Sequence, residues 1–474
     1  MIVPPPLEVL PAEKLGHVHF VGIGGAGLSG IARIMLARGI SVTGSDAKDS
    51  RTLTALRALG AECWVGHDPA HVAEADTLVI STAVKETNVE VVEAQRLGLR
   101  LYSRAAALSA VMVDRRVVAI SGAHGKTTTS SMIAVALQHC GADPSFAIGG
   151  NFNDTGTNAH DGTGDIFVVE ADESDRAFLE YSPEVAVVTN VDPDHLDMYA
   201  SREDYHDAFD QFVDRIVPGG YLVACLDDPG ARALAERSRA RGFDVRTYGE
   251  APDADVRVDR VELKPLGSTF ELVVQGRRQG TVDVHVAGKH HALNAAAAYA
   301  ACLGVGFPST EIREGLSSYT GTRRRFEFKG AANGIRVYDD YGHHPTEMLV
   351  NMHAARGAVG EGGRVVVAFR PLRHTRTKFF FKELGEALAL ADEVVVMDPT
   401  GDDPIPGVTG AMIVPHIPLP PERIVYETSW SAVPHHLFER ARPGDLVLTL
   451  GAPDVALIGP EFLELVEASL PSSS

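Results

Sequence analysis

Two glycine-rich turns constrain this chain more than any other feature. Gly22-Ile23-Gly24-Gly25-Ala26-Gly27 follows the apolar run His17–Val21 and leads into a helical pattern over Gly27–Arg38. Gly122-Ala123-His124-Gly125-Lys126-Thr127-Thr128-Thr129 follows Val117–Ser121 and leads into Thr127–Cys140. A strand that passes through a tight turn directly into a helix is the first half of a parallel crossover. The alternation continues along the chain. Short β-branched runs at Thr77–Ser81, Ile166–Glu170, Val185–Asn190, Tyr221–Cys225, Arg364–Phe369, Glu393–Asp398 and Leu446–Leu450 are separated by helical stretches such as Ala292–Leu303, Pro345–Ala358 and Phe379–Ala391. The pattern predicts an α/β protein with parallel sheets. At roughly 150 residues per domain, 474 residues predict about three domains. Boundaries before the strands at Val117 and Ile335 divide the chain into 1–115, 116–326 and 327–474. The polar, alternating stretch Asp253–Val286 reads as a small antiparallel addition to the middle domain.

The first turn is a GxGxxG. Its glycines Gly22, Gly24, Gly25 and Gly27, with Ala26, allow backbone N–H groups and a helix N-terminus to approach a diphosphate. A second strand ends in Ser45-Asp46, where an acid can take a ribose hydroxyl. Taken alone this suggests NAD and a dehydrogenase, but a UDP-sugar presents the same diphosphate. The motif leaves the rest of the ligand open.

The second turn narrows the reaction class. Ile120 stands where a full P-loop has its first glycine, yet the core keeps the needed chemistry. Gly122, His124 and Gly125 can wrap phosphates, Lys126 can neutralise β/γ oxygens, and Thr127 or Thr128 can reach Mg²⁺. A dehydrogenase has no use for a triphosphate cradle, so two phosphorylated ligands are implied, with ATP on the second loop. A carboxylate for the metal is expected on a downstream strand end. Glu170-Ala171-Asp172-Glu173-Ser174-Asp175 supplies one, and Asp192-Pro193-Asp194-His195-Leu196-Asp197 brings His195 to the end of the next strand.

Composition excludes other classes. Lys and Arg total 43 against 63 Asp and Glu, a formal net charge of −20, with no basic run to grip a nucleic-acid backbone or an anionic membrane. No stretch approaches the roughly 18 apolar residues of a membrane span. The start lacks a secretory pattern, and the four cysteines, Cys63, Cys140, Cys225 and Cys302, form no CxxC. The expectation is a cytoplasmic protein with reduced thiols.

Gly122–Thr129, EADESD at Glu170–Asp175, DHLD at Asp194–Asp197, HHALNA at His290–Ala295, RRRF at Arg323–Phe326 and DDYGHHPTE at Asp339–Glu347 together resemble the Mur ligases, from about Val18 to Gly459. The resemblance implies an enzyme of cytoplasmic peptidoglycan precursor synthesis with N- and C-terminal Rossmann-like parallel sheets flanking a central P-loop-type ATP-binding domain. It implies ATP and Mg²⁺ as cofactors, and UDP-N-acetylmuramate and L-alanine as substrates, joined through an acyl phosphate. Carried over by motif, Lys126 contacts phosphates and Glu170 and His195 hold Mg²⁺. Asn294 contacts the adenine, Arg325 and Asp340 complete the nucleotide site, and Tyr341, His343, Arg373 and Arg376 surround the amino acid. Arginine suits an amino-acid carboxylate because its planar fork binds bidentately. His343 is a candidate base for the ammonium proton, although bound phosphate could serve. The adjacent pairs His290-His291 and His343-His344 lack zinc-ligand spacing.

Three segments depart from the family pattern, all at strand ends of the last domain. Phe369-Arg370-Pro371-Leu372 stands for Phe-Gln-Pro-His, Gly451-Ala452-Pro453-Asp454 has proline where glycine is common, and Asp398-Pro399-Thr400-Gly401 lacks the usual aromatic. These positions raise a second reading, a diverged paralogue that joins another amino acid or carboxylate. A nicotinamide oxidoreductase leaves Gly122–Thr129 unexplained, and a non-catalytic nucleotide-binding regulator leaves Lys126, Glu170, His195 and Asp340 without a use.

Overall fold

The first sheet grows from β1 (Val18–Val21), all four residues of which are buried. A strand apolar on both faces needs cover on both, which an interior place in a parallel sheet provides. The chain continues through α1 (Ala26–Ala37), β2 (Val42–Asp46), α2 (Arg51–Ala58), β3 (Glu62–Val65), β4 (Thr77–Ile80), α3 (Val89–Leu97), β5 (Arg100–Ser103) and α4 (Arg104–Met112). The strand order is β3-β2-β1-β4-β5, all parallel. The order reverses at β1, so the first glycine turn sits at a topological switch point, where open α/β sheets bind ligands. The computed structural model describes residues 9–81, 83–153, 156–193, 198–264, 266–360, 362–401 and 404–470. It forms two compact units, Met1–Val256 with Ala297–Gly315 and Arg257–Ala296 with Leu316–Ser474.

A buried carboxylate holds this first sheet's ligand-facing edge together. Glu90, in the first turn of α3, is fully buried. It accepts hydrogen bonds from Ser45 Oγ at 2.5 Å, His71 Nδ1 at 2.7 Å and His67 Nδ1 at 3.0 Å, with His19 Nε2 at 3.8 Å. Trp64 stacks on His71 with ring centroids 4.3 Å apart. Burial alone would raise this carboxyl, but the approach of His19, Ser45 and His71 brings it down to about 2.

The second sheet of the first unit contains β6 (Arg116–Ser121), α5 (Lys126–His139), β7 (Ser145–Ala147), β8 (Ala159–His160), β9 (Ile166–Glu170), β10 (Val185–Val188), α6 (Arg202–Asp214), β11 (Tyr221–Cys225), α7 (Pro229–Ala240) and β12 (Asp244–Gly249). Its order runs β12-β11-β10-β6-β9-β7-β8. The strand before the second glycine turn, β6, therefore lies between β9 and β10, parallel to both. The turn is flanked by both acid-bearing strand ends.

In the second unit β13 (Val256–Lys264), β14 (Gly267–Val274) and β15 (Arg277–Val284) lie side by side, with β14 and β15 antiparallel, as the alternating pattern predicts. Two helices follow in the chain, α8 (Lys289–Gly304) and α9 (Ser309–Ser317), of which Ala297–Gly315 belongs to the first unit. The last sheet is built from β16 (Glu327–Ala332), β17 (Ile335–Asp340), α10 (Pro345–Val359), β18 (Val365–Arg370), α11 (His374–Ala387), β19 (Glu393–Val396), β20 (Ile424–Tyr426), α12 (Val433–Arg440), β21 (Leu446–Gly451) and α13 (Ile458–Ala468). Its order is β16-β17-β21-β18-β19-β20, parallel except for the antiparallel edge strand β16.

The α/β class is as expected, with three local differences. β16 was not anticipated, because Glu327-Phe328-Lys329-Gly330 is a half-exposed edge without a continuous apolar run. α11 spans His374–Ala387 but is broken by a kink at Phe380 (φ −120°), so the expected start at Phe379 falls at the break and the polar turn before it was not anticipated. β10 ends at Val188, which leaves Thr189 and Asn190 to turn toward the glycine loop. Cys63, Cys225 and Cys302 are buried and Cys140 half-buried, and burial raises all four thiols. Among the described residues no helix is long and apolar enough to cross a membrane.

Because the Glu90 pKa is depressed on folding, its ionised form stabilises the native state above the unfolded value of 4.5, and that contribution is lost as pH falls toward about 2. Glu90→Gln should lower unfolding free energy at pH 7 by on the order of 3 kcal/mol. Denaturant melts from pH 7 to 2 should show the difference from wild type shrinking below about pH 4.5. A deficit that does not change with pH would show that this charge is not what stabilises the fold.

Candidate functional site

The second glycine turn is shaped by positions that accept no side chain. Gly122 has φ +127° and Gly125, the N-cap of α5, has φ +83°. A Cβ on Gly122 would lie 2.3 Å from Thr189 Oγ1 and 2.9 Å from the Asn190 carbonyl. The β10 end pins the turn in place. Thr189 Oγ1 and Asn190 Nδ2 donate to the His124 carbonyl at 2.6 and 2.9 Å, and the His124 amide donates to Asn190 Oδ1 at 3.1 Å. His124 Nε2 lies 3.1 Å from Asp192 Oδ2. The first intrahelical bond of α5 is Thr129 N to Gly125 O, and its N-cap Gly125 makes no side-chain cap bond, so the positive end of the helix lies at residues 126–128.

Lys126 donates to the Gly122 carbonyl at 2.6 Å and to Glu173 Oε2 at 2.7 Å. Burial opposes its charge, but Glu173 and then Asp172 overcome that cost, so its pKa is raised and the ammonium persists. Thr127 Oγ1 donates to Glu170 Oε1 at 2.6 Å, which selects Thr127 over Thr128 as the hydroxyl beside the acid. The other Glu170 oxygen accepts the Gly149 amide. A hydroxyl and a carboxylate within ligand distance of each other are hard oxygen donors, the type Mg²⁺ takes. His195, the third expected metal residue, lies outside the described residues.

The first glycine turn divides its work differently from the expectation. The Gly22 amide bonds to the Ser45 carbonyl at 2.8 Å, the Gly24 amide to Asp46 Oδ2 at 3.0 Å and the Gly25 amide to the Gly22 carbonyl at 3.1 Å. These glycines shape the turn with donors already engaged. The start of α1 is exposed at Gly25, Ala26 and Gly27, and its first intrahelical bond is Ser29 N to Gly25 O. Anion-facing donors are therefore those of Ala26 and Gly27. Ser45 was expected to meet substrate, but its side chain is fully buried and bonded to Glu90. Asp46 spends one oxygen on the turn.

In the second unit, Asp340 ends β17 and is nearly fully buried. It accepts the Phe326 amide at 2.7 Å, the Gly342 amide at 2.6 Å and Asn351 Nδ2 at 2.5 Å. Burial pushes it up to about 6 against the pull of Arg325. Its carboxylate thus organises the loop carrying Tyr341 and His343 and the one carrying Arg325. The Arg325 guanidinium lies 5.7 Å from the Tyr341 ring centroid. Its charge is also felt by His290 at the start of α8, which burial first and Arg325 second lower to about 4. Asn294 is buried one turn further along α8. His343 Nδ1 lies 2.7 Å from the Tyr341 carbonyl. A carbonyl only accepts, so Nδ1 carries a proton, and Glu347 Oε2 lies 3.7 Å from the same nitrogen. Arg373, with φ +67°, caps α11, and Arg376 is buried in its first turn.

Sequence reasoning missed Thr189, Asn190, Glu173 and Asn351, which act on the expected residues. For Glu173 the signal was present, an acid in the same cluster as Glu170, but only the fold turns it toward Lys126. The family departures meet one another. Arg370 pairs with Asp454 at 2.5 Å and donates to the Asp398 carbonyl at 3.4 Å, while its guanidinium lies over Trp430 at 5.3 Å. Asp398 in turn accepts Tyr426 OH at 2.6 Å. Arg370 and Asp454 thus meet in one cluster, in which Asp454 Oδ1 has no hydrogen-bond partner among the described residues.

Residues 17–116 match the model of the Mur ligase family catalytic domain, 120–302 the Mur ligase middle domain and 324–453 the Mur ligase glutamate ligase domain. A UDP-N-acetylmuramate–L-alanine ligase of Acidothermus cellulolyticus is 55% identical over 460 residues, covering 96% of each chain. One of a Nocardioides species is 54% identical over 472 residues, covering 98% of this chain and all of the relative. The crystal structure of the UDP-N-acetylmuramate–alanine ligase of Thermotoga maritima superposes with a TM-score of 0.80 at 26% identity, over 96% of this chain and all of that one.

Gly122→Ala should weaken binding of a non-hydrolysable ATP analogue by about tenfold or more, measured by calorimetry, since its Cβ meets Thr189 and its φ is strained. Arg370→Gln and Asp454→Asn should each change the KM for the amino acid, with the double variant no worse than the poorer single one. Strictly additive effects would separate the two residues.

Proposed function

The chain belongs to the Mur ligase family, and from that premise we propose that it joins L-alanine to the lactyl carboxylate of UDP-N-acetylmuramate, with conversion of ATP to ADP and phosphate. It is an ATP-dependent ligase with every family domain present in order. One observation carries the reading of its chemistry, a permanently charged Lys126 beside the Thr127–Glu170 pair at an uncapped helix start. That arrangement suits a transferring phosphoryl group. Identity above one half across the whole chain supports alanine as the amino acid over a diverged specificity. Among the departures in the last domain, Arg370 is neutralised by Asp454.

A carboxylate does not condense with an amine in water at a useful rate. In the proposed sequence a lactyl oxygen attacks the γ-phosphorus of ATP. The new O–P bond forms as the bond to the ADP oxygen breaks. Lys126 neutralises charge on the phosphoryl oxygens as they pass through the transition state. Mg²⁺, held by Thr127 and Glu170 with His195 as the third residue, would neutralise charge on the same oxygens. The alanine amine, once deprotonated, attacks the acyl phosphate carbon, and the C–O bond to phosphate breaks as the amide forms. His343 is the candidate proton acceptor. The arginines Arg373 and Arg376 take the alanine carboxylate, and Tyr341 walls the same pocket. Asn294, Arg325 and Asp340 serve the adenosine, as does the His124 loop its phosphates, through Gly122, Gly125 and Thr128. Residues 1–115 are read as the sugar-nucleotide domain, 116–326 as the triphosphate domain and 327–474 as the amino-acid domain. The reaction belongs in the cytoplasm, where both nucleotides are supplied.

Purified protein should release phosphate from ATP only when both UDP-N-acetylmuramate and an amino acid are present, with alanine preferred across an amino-acid panel. Lys126→Ala should abolish release. Turnover unchanged in that variant removes the ATP assignment, and preference for another amino acid removes the substrate assignment. His343→Gln should lower kcat while leaving the KM for ATP unchanged.

A further inference from the structure

Arg104 is a cation that the sequence motifs did not single out. It opens α4, immediately after the N-cap Ser103. Its side chain lies on the glycine turn of the first sheet. A Cβ added to Gly27 would be 2.9 Å from Arg104 Cδ and 3.5 Å from its Nη1. The guanidinium therefore covers the first turn of α1, beside the Ala26 and Gly27 amides. A side chain at position 27 would have to displace it.

The same guanidinium reaches the acid loop that serves the other nucleotide. Arg104 Nη2 lies 3.6 Å from Asp175 Oδ2 and 3.9 Å from Asp172 Oδ2. Both acids spend their other oxygen locally, Asp172 Oδ1 on the Ser174 amide at 3.1 Å and Asp175 Oδ1 on the Ala177 amide at 3.0 Å. These ion pairs are long for charge-assisted hydrogen bonds, which run to about 2.7–2.9 Å. By contrast Lys126 and Glu173, in the same loop, meet at 2.7 Å. Arg104 is held near its acids without being locked to them. α4 itself is firmly seated, because Ser109 Oγ donates to the Glu180 carbonyl at 3.1 Å and Ser103 Oγ lies 3.4 Å from the Glu180 carboxylate. The backbone is fixed and only the guanidinium has a choice of partners.

We propose that Arg104 is a shared cation: it closes on the sugar nucleotide's diphosphate at the Gly22–Gly27 turn and, in doing so, leaves Asp175 and Asp172 of the triphosphate-side loop. The proposal rests on the sugar-nucleotide reading of residues 1–115 and adds a side-chain ligand to a turn that otherwise offers only backbone donors. It also links the two nucleotide loops. A cation drawn from one anion to another couples their affinities reciprocally.

UDP is the probe, titrated by calorimetry into the full-length protein without ATP or metal. Wild type should bind it, and Arg104→Ala should bind about tenfold or more weakly, the loss of a hydrogen-bonded charge. Arg104→Lys, which keeps charge but not the fork, should fall between. Asp175→Asn keeps the acceptor for Ala177 and removes the competing charge, so it should bind UDP more tightly than wild type. In the Arg104→Ala background the Asp175 substitution should have no effect. Equal UDP affinity for wild type and Arg104→Ala overturns the proposal, as does an Asp175→Asn effect of equal size in both backgrounds. If wild type fails to bind UDP, the sugar-nucleotide reading falls and takes this proposal with it.

Discussion

A buried ammonium must be neutralised where it stands, and the middle sheet of this protein is arranged around that need. Lys126 sits at the start of a helix whose positive end already favours anions, yet it remains charged because Glu173 contacts it at 2.7 Å and Asp172 lies nearby. The strand order makes this possible. With β6 between β9 and β10, the loop leaving β6 has an acidic strand end on one side and Thr189 and Asn190 on the other. One neighbour neutralises the lysine, and the other holds the glycine turn open. A P-loop lysine without these neighbours would be a buried charge with a depressed pKa.

The two glycine turns look alike in sequence and differ in use. In the second, positive φ at Gly122 and Gly125, open to glycine without strain, and a side-chain clamp from β10 shape the approach to the helix start. In the first, the amides of Gly22, Gly24 and Gly25 are consumed by the turn itself, and the Ser45 hydroxyl belongs to the buried Glu90 network. Glycine there provides room more than donors, at Gly27 for Arg104 and at Gly24 for Asp46 and Leu53. A diphosphate at this turn would meet a helix end and a guanidinium.

The C-terminal departures show how local divergence can leave chemistry intact. Arg370, Asp454, Asp398, Trp430 and Tyr426 come together from distant parts of the domain, where Arg370 pairs with Asp454 and Tyr426 donates to Asp398. Read one at a time in the sequence, these substitutions suggest a changed specificity. Read together in the fold, Arg370 is neutralised by Asp454 and the Asp398 carboxylate accepts from the Tyr426 hydroxyl. The residues carried over as amino-acid ligands, Arg373 and Arg376, lie on α11.

What the sequence alone determined was chemistry tied to short-range pattern. Strand, glycine turn and helix are contiguous, so βα units, the two glycine turns, the α/β class and an acid at a strand end downstream of the second turn were legible from spacing and residue type, while the choice of Thr127 over Thr128 was not. The antiparallel hairpins β14–β15 and β16–β17 mark the limit of this reading, since the first announced itself by alternation and the second, a half-exposed edge, did not. What only tertiary structure decided was which side chains share a neighbourhood. Glu173 facing Lys126, Asn351 on Asp340, Arg370 on Asp454 and Arg104 between two loops all join positions far apart in the chain or turned by a loop. Such contacts depend on strand order and on where a turn aims its side chains, and neither is encoded in any local stretch of residues.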